Sequence, residues 1–572
     1  MQAARRAGKS GSYPGRFPPS FSCHHCQGEE RCSFRQERGG SFLEDYRSER
    51  ESQARDGLRA IAEEVFGYLG KTFPVCCASD EFFYFPQVIP PEETWSGWDD
   101  FSRDRIEEVT RRLSSVENDL GLLSRNSKGL DVLTDAEILR RMSRTLREQL
   151  QEVRFHETQP TFHLTILCTG LSSSLENDDH RAWEIRARAV PSFLERARET
   201  LTDMPRLFRD QGLAMIRDMK AWLRSLDRGE NDLSLVVTAF SRFEDFLRNA
   251  GTRSHYLLPS ETVERIVKEH VGCGVGPGEV RHTLMEEIRE MGKVMEEVCE
   301  GLCPGTDWRE AVRKISPPEI PGGGPQELYR EEADRILRHC VRIGIVPEDL
   351  PRMSPLRVEP LPPYLRTIRA ASAYSFTPEN RLQTGTFYIV PPGGEWDDNR
   401  EDLVDYRMLT AHETYPGHHL LDSWRWRFVS PTRRPLESPL FYEGWACFAE
   451  ELMRSTGYFS GPVDLLLLAK RRYRRAVRGI VDLDLQSGKR DRHSAASFLA
   501  DSGFSHDAAS SVAGKYPLRP GYQVCYTLGL KRFLALYNRY GTGDVRRFVE
   551  SVLSCGEIGF DLVENDLRKR FE

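Results

Sequence analysis

Thr410-Ala411-His412-Glu413-Thr414-Tyr415-Pro416-Gly417-His418-His419 is the stretch on which the reading of this chain turns. It sets a His-Glu pair at the start of a helical pattern, then two more histidines after a Pro-Gly step. Downstream, Phe441-Tyr442-Glu443-Gly444-Trp445-Ala446-Cys447-Phe448-Ala449-Glu450 opens a second helical stretch with an acid near its start. Two imidazoles and a carboxylate make a zinc site with a position left for water, and a further Glu can serve as base. The expectation is a hydrolase holding one Zn2+ ion and acting on peptide bonds.

The spacing needs explaining. In the familiar His-Glu-x-x-His helix the two rings lie on one face, about 6 Å apart along the axis. Here the fifth position is Pro416, which cannot ligate. In a regular helix His418 points about 120° away from His412, whereas His419 returns to the same face about 10.5 Å further along. Pro416 and Gly417 allow a bulged or overwound backbone that brings His418 back. His412 and His418 are therefore the expected imidazole ligands and Glu443 the third. Glu413 is the expected base, aimed at water rather than at the metal. Glu450, one heptad beyond Glu443, is placed to orient a ligand imidazole from behind.

Working outward, 572 residues can bury a large core, and 39% hydrophobic with 29% charged residues fits a globular protein. A net charge of −7 argues against a nucleic-acid partner. The apolar run at Leu164–Leu171 is far shorter than the roughly 20 residues a bilayer span requires, so no membrane partner is expected. Thirteen cysteines, an odd number without disulfide-like spacing, point to a reducing cytoplasm. Residues 1–42, rich in Gly, Ser, Arg and Pro, read as a disordered leader. The cluster Cys23-His24-His25-Cys26 within it lacks the second pair that a finger needs.

Residues 43–355 read as a helical region, with patterns over Tyr46–Leu69, Arg103–Leu123, Leu133–Val153, Arg181–Leu226, Glu279–Glu300 and Gln326–Ile343. Pro-rich breaks fall at 304–325 and 345–363. Residues 356–572 read as the metal-binding region, packed with 43–355 as one unit. Strands are expected at Tyr364–Tyr374 and Thr386–Val390, the latter offering an edge, with Tyr388, to an extended peptide. The Arg471-Arg472 and Arg474-Arg475 pairs read as a solvated helix face.

Four motifs in order resemble the bacterial zinc-peptidase-like family known as domain of unknown function eight-eight-five. They are His412-Glu413 with Pro416-Gly417-His418; Glu443-Gly444-Trp445-Ala446 with Ala449-Glu450; Arg478 with Asp482; and Pro520-Gly521 with Tyr526 and Gly529. The resemblance covers about 370–545 and, by helical character alone, extends back to about 43. It implies a mainly α, multi-helical, zincin-like metallopeptidase fold with a small β-sheet beside the active-site helix, and His418 as ligand with His419 as its neighbour. Where the family commonly has Gly-Leu-His after the Asp, this chain has Asp484-Leu485-Gln486; Gln486 can donate a hydrogen bond but cannot titrate.

Tyr526 is a candidate donor to the oxyanion. Arg478 either grips a substrate carboxylate or pairs with Asp482 one turn on, the second being preferred. Short peptides are the expected substrates. The rival readings are a hydrolase of small amides or esters and an inactive helical scaffold that binds peptides or partner proteins.

Overall fold

Apolar residues at three- and four-residue spacing fold as helices through most of the first 350 residues. A computed structural model of the chain describes residues 40–126, 129–226, 233–362, 372–376, 384–390 and 403–572. Most of the leader with its Cys23–Cys26 cluster, and most of the strand expected over Tyr364–Tyr374, lie outside those residues. Residues 1–50 form one unit and residues 51–572 another. Within 51–572 one hydrophobic cluster runs from Leu58 to Leu567, so the halves before and after residue 355 share a core.

Local chemistry sets the helix boundaries. Arg181–Leu226 reads as one pattern but forms two helices, His180–Thr200 and Arg206–Leu226. Pro205 sits between them and pushes Met204 out of the α region. At the first of these helices the Asp179 carboxylate accepts the Ala182 N–H at 2.9 Å, a side-chain cap. Pro160–Glu176 is apolar nearly all round and has no clean stripe; Leu164, Ile166, Leu167 and Leu171 are fully buried in it.

The sheet has three strands in the order β1-β3-β2: β1 (Leu356–Pro360), β2 (Ala373–Phe376) and β3 (Gly385–Ile389). β1 runs parallel to β3 with Leu356 opposite Gly385, and β2 runs antiparallel with Tyr374 opposite Phe387. β1 lies inside the Pro-rich stretch that reads as a break. Its one proline, Pro360, closes the strand and is tolerated because β1 is an edge. β3 is central, flanked on both sides, so the edge expected at Thr386–Val390 is already taken.

Six helices build the site: α1 (Pro277–Leu302), α2 (Tyr406–Glu413), α3 (His418–Phe428), α4 (Pro439–Ser455), α5 (Pro462–Gln486) and α6 (Cys525–Tyr540). α4 and α6 cross backbone to backbone at Gly444 and Gly529. A Cβ on Gly444 would stand 2.5 Å from the Gly529 Cα, and one on Gly529 would strike the Leu440 carbonyl. In an open helix Gly→Ala gains about 1 kcal/mol. Here the clash reverses the sign: Gly529→Ala is expected to lower unfolding stability by about 1–3 kcal/mol in urea titration.

Beneath the site, buried Arg425 meets Asp422 at 2.5 Å, Glu557 at 3.0 Å and Glu437 at 3.9 Å. Three carboxylates against one guanidinium cannot all stay ionised away from water. Burial, with the charge of Asp422 adding, pushes Glu557 up to about 8 against the pull of Arg425. A carboxyl that holds its proton more tightly when folded loses stability as pH rises from the unfolded value, about 4.3. The loss is complete near about 8. The melting temperature of metal-free protein is therefore expected to fall between pH 5 and 8, and Glu557→Gln to flatten that slope.

Candidate metal centre

Helix α2 stops at Glu413, and the chain turns through Thr414–Gly417, with a cis Tyr415–Pro416 bond, before α3 starts at His418. The sequence reading of one bulged helix is thus corrected: His412-Glu413 ends one helix and His418 begins the next. Pro416 has no N–H to continue the first helix. Gly417 is required because a Cβ there would collide with the His412 carbonyl. Trp445 clamps the turn, its Nε1–H donating to the Pro416 carbonyl at 2.9 Å. The clamp lies two residues from Glu443 on the same helix, so turn and acid are fixed together.

This break brings the rings of His412 and His418 to 4.9 Å between centroids, at 82°. Glu443 Oε2 is 3.6 Å from Nε2 of each. All three residues are buried, and their ligand atoms lie within 4.8 Å of one another. Ligands about 2.1 Å from a tetrahedral ion stand about 3.4 Å apart, so the set fits one zinc-sized cation. A second observation agrees: Glu443 Oε2 is buried and accepts no hydrogen bond, an orphaned lone pair aimed between two imidazoles. Its other oxygen accepts the Tyr522 hydroxyl at 2.6 Å.

Behind His412, Nδ1 lies 3.0 Å from Glu450 Oε1, which leaves the Nε2 lone pair facing Glu443. Glu450 is gripped by Arg471 at 2.9 and 3.0 Å and by Arg475 at 3.0 and 2.5 Å. Burial opposes its ionisation, but these two guanidinium groups hold its carboxyl well below the usual range. Arg472 meanwhile bonds Glu287 of α1 and Glu451 of α4. For Arg471, Arg472 and Arg475 the solvated face is therefore corrected to ion pairs, because Glu450 and Glu451 of α4 and Glu287 of α1 face them, while Arg474 lies over the Phe504 ring at 3.9 Å. The doubled acid Glu450-Glu451 facing the doubled Arg471-Arg472 was the available signal.

His418 has no such support: its Nδ1 is buried without a partner, and its ring stacks on Tyr442 at 4.0 Å. Glu413 Oε2 accepts the Tyr374 N–H of β2 at 2.9 Å, so the sheet fixes this carboxylate through its outer edge. Tyr374, Tyr442, Tyr522, Arg471 and Arg475 complete the site, although neither motif nor spacing marks them.

His412 and Glu413 open onto a cavity of about 1120 Å³, lined also by Arg478, Tyr522, Gln523 and Tyr526. Tyr526 lies against Tyr522, ring centroids 6.0 Å apart, and burial with the nearby Glu443 charge pushes its phenol up. Three expected residues stand elsewhere. His419 is buried beneath the sheet, its ring nitrogens 3.0 Å from the Tyr374 hydroxyl and 3.1 Å from the Ser354 carbonyl. Gln486 is buried at the end of α5, and Tyr388 sits mid-strand in β3; neither lines the cavity. Arg478 does line it, but without pairing to Asp482. It donates instead to Gln523 Oε1, at 2.8 and 2.5 Å, while Asp482 accepts the Gln523 N–H.

The family model described as bacterial protein of unknown function, DUF885, matches residues 92–567. The chain belongs to that family. Two solved structures share the DUF885 chain's fold. One is a Colwellia psychrerythraea protein provisionally described as a lipoprotein, with TM-score 0.72 and 13% identity over 91% of this chain and 99% of that one. The other, from Shewanella oneidensis, is provisionally described as a lipoprotein of unknown function, with TM-score 0.70 and 15% identity over 90% and 100%. At such identities the likeness is one of fold. No curated protein matches the chain. No helix among the described residues is long and apolar enough to cross a membrane.

Proposed function

We propose that this protein is a zincin-like metallopeptidase that hydrolyses short peptides. One observation carries the reading: two imidazole nitrogens and an orphaned carboxylate oxygen converge beside Glu413, at the wall of a cavity. His412, His418 and Glu443 would hold the ion, and zinc suits a set of two nitrogens and one oxygen. When bound, the ion supplies Lewis acidity, polarising a carbonyl and acidifying water. Glu413 takes the proton of the attacking water on Oε1, since Oε2 is tied to the Tyr374 N–H. Tyr522 holds Glu443 in place, and Tyr526, also at the cavity wall, donates to the developing oxyanion. Glu450 fixes the His412 tautomer, and the two arginines keep it charged.

All ten described cysteines are free thiols, which supports a reducing compartment such as the cytoplasm. Metal analysis together with a peptide-library digest tests the reading. The expected result is one zinc per chain and cleavage of short peptides. Cleavage confined to simple amides or esters would move the activity to small substrates, and metal-free, inert protein would leave only a scaffold.

A further inference from the structure

Among the described residues, Arg478 stands in the cavity wall without an ion pair. Arg471, Arg475 and Arg478 follow one another along a face of α5 at helical spacing. The first two are bonded to Glu450, and their neighbour Arg472 to Glu287 and Glu451. Arg478 makes no ion pair within 4 Å among the described residues. Its Nε and Nη2 converge on the neutral Gln523 Oε1, and its guanidinium lies 4.5 Å from the Tyr526 ring centroid. Gln523 is fixed by its own N–H to Asp482 Oδ2 at 3.0 Å, so this acceptor is anchored. The Tyr516 and Tyr526 phenols also face the guanidinium, so its hydrogen-bonding neighbours are neutral groups and no carboxylate grips it. Secluded charges ordinarily carry a hydrogen-bonded partner, and a bidentate carboxylate matches this fork.

Position narrows the choice. Contacts lead from Glu443 Oε1 to the Tyr522 hydroxyl at 2.6 Å, from Tyr522 to Tyr526 at 6.0 Å between ring centroids, and from the Tyr526 ring to the Arg478 guanidinium at 4.5 Å. The guanidinium thus shares a cavity wall with the metal-holding acid. The cavity is also walled by Phe82, Phe83, Phe155, Phe162 and Met215, and Phe83 packs on Tyr522 at 5.2 Å.

We propose that Arg478 receives the C-terminal carboxylate of the substrate, so that the enzyme removes a terminal residue, preferentially a large apolar one. This rests on the peptidase reading above. The step is hydrolysis of the last peptide bond. Water oxygen bonds to the carbonyl carbon, the C–N bond breaks, and the two water hydrogens end on the released amine and the new carboxyl group.

The test uses full-length, zinc-loaded protein and three tetrapeptides: one ending in free phenylalanine, its C-terminal carboxamide, and a carboxamide ending in aspartate. Free phenylalanine should be released from the first, with kcat/KM about 10–100-fold above the second, the scale of a lost charge-assisted bond. Arg478→Gln should shrink that ratio to within about threefold, and Arg478→Lys should keep part of it. Equal cleavage of acid and amide, cutting at internal bonds, or a ratio unchanged in Arg478→Gln overturns the proposal. Preference for the aspartate carboxamide assigns Arg478 to an acidic side chain and overturns it equally. A second arm measures 3-phenylpropionate binding to metal-free protein by calorimetry, expected to weaken about tenfold or more in Arg478→Gln. If no peptide is cut but that difference persists, the peptidase reading fails while the carboxylate site stands; loss of both results removes both.

Discussion

Glu413→Gln is expected to keep its zinc and its fold while losing about 10²–10⁴-fold in kcat, the usual contribution of a general base. The substitution is nearly isosteric, and the amide oxygen still accepts the Tyr374 N–H that fixes this side chain at 2.9 Å. What disappears is basicity alone. His412, His418 and Glu443 are untouched, so metal content measured by plasma emission should match the wild type. A loss confined to KM, with kcat intact, would assign Glu413 to substrate binding instead.

His412→Ala is the second large effect, and its readout is thermodynamic. It deletes one of three donors and strands Glu450, which loses its imidazole partner but keeps Arg471 and Arg475. Loss of an outer-shell partner costs about 10–100-fold in metal affinity, and loss of a ligand should cost more. Because the ion binds only the folded chain, zinc at about 1,000 times its Kd should stabilise the wild type by about 4 kcal/mol. Calorimetric melting should show that zinc-dependent rise in wild type and none in His412→Ala at the same free zinc.

Much of this arrangement can be read in the sequence, and the rest has identifiable causes. Helical periodicity gives the mainly α build, and His412, His418 and Glu443 are each named by chemistry and spacing. The path between the histidines is not legible: a bulged helix and a helix–turn–helix satisfy the same spacing, and the choice depends on Trp445 reaching the Pro416 carbonyl from another helix. Arg471 and Arg475 look like surface charge until α4 brings Glu450 opposite them. Likewise, β1 hides among prolines because an edge strand tolerates them. Tyr522 went unremarked beside Tyr526 because helical position alone does not say which hydroxyl reaches Glu443.

One ion is expected among His412, His418 and Glu443. Anomalous diffraction on either side of the zinc absorption edge tests it most directly. One peak is expected, about 2.0–2.2 Å from both Nε2 atoms and from Glu443 Oε2. A zinc-soaked crystal with no peak among these three side chains, or with its zinc held elsewhere in the chain, would contradict it.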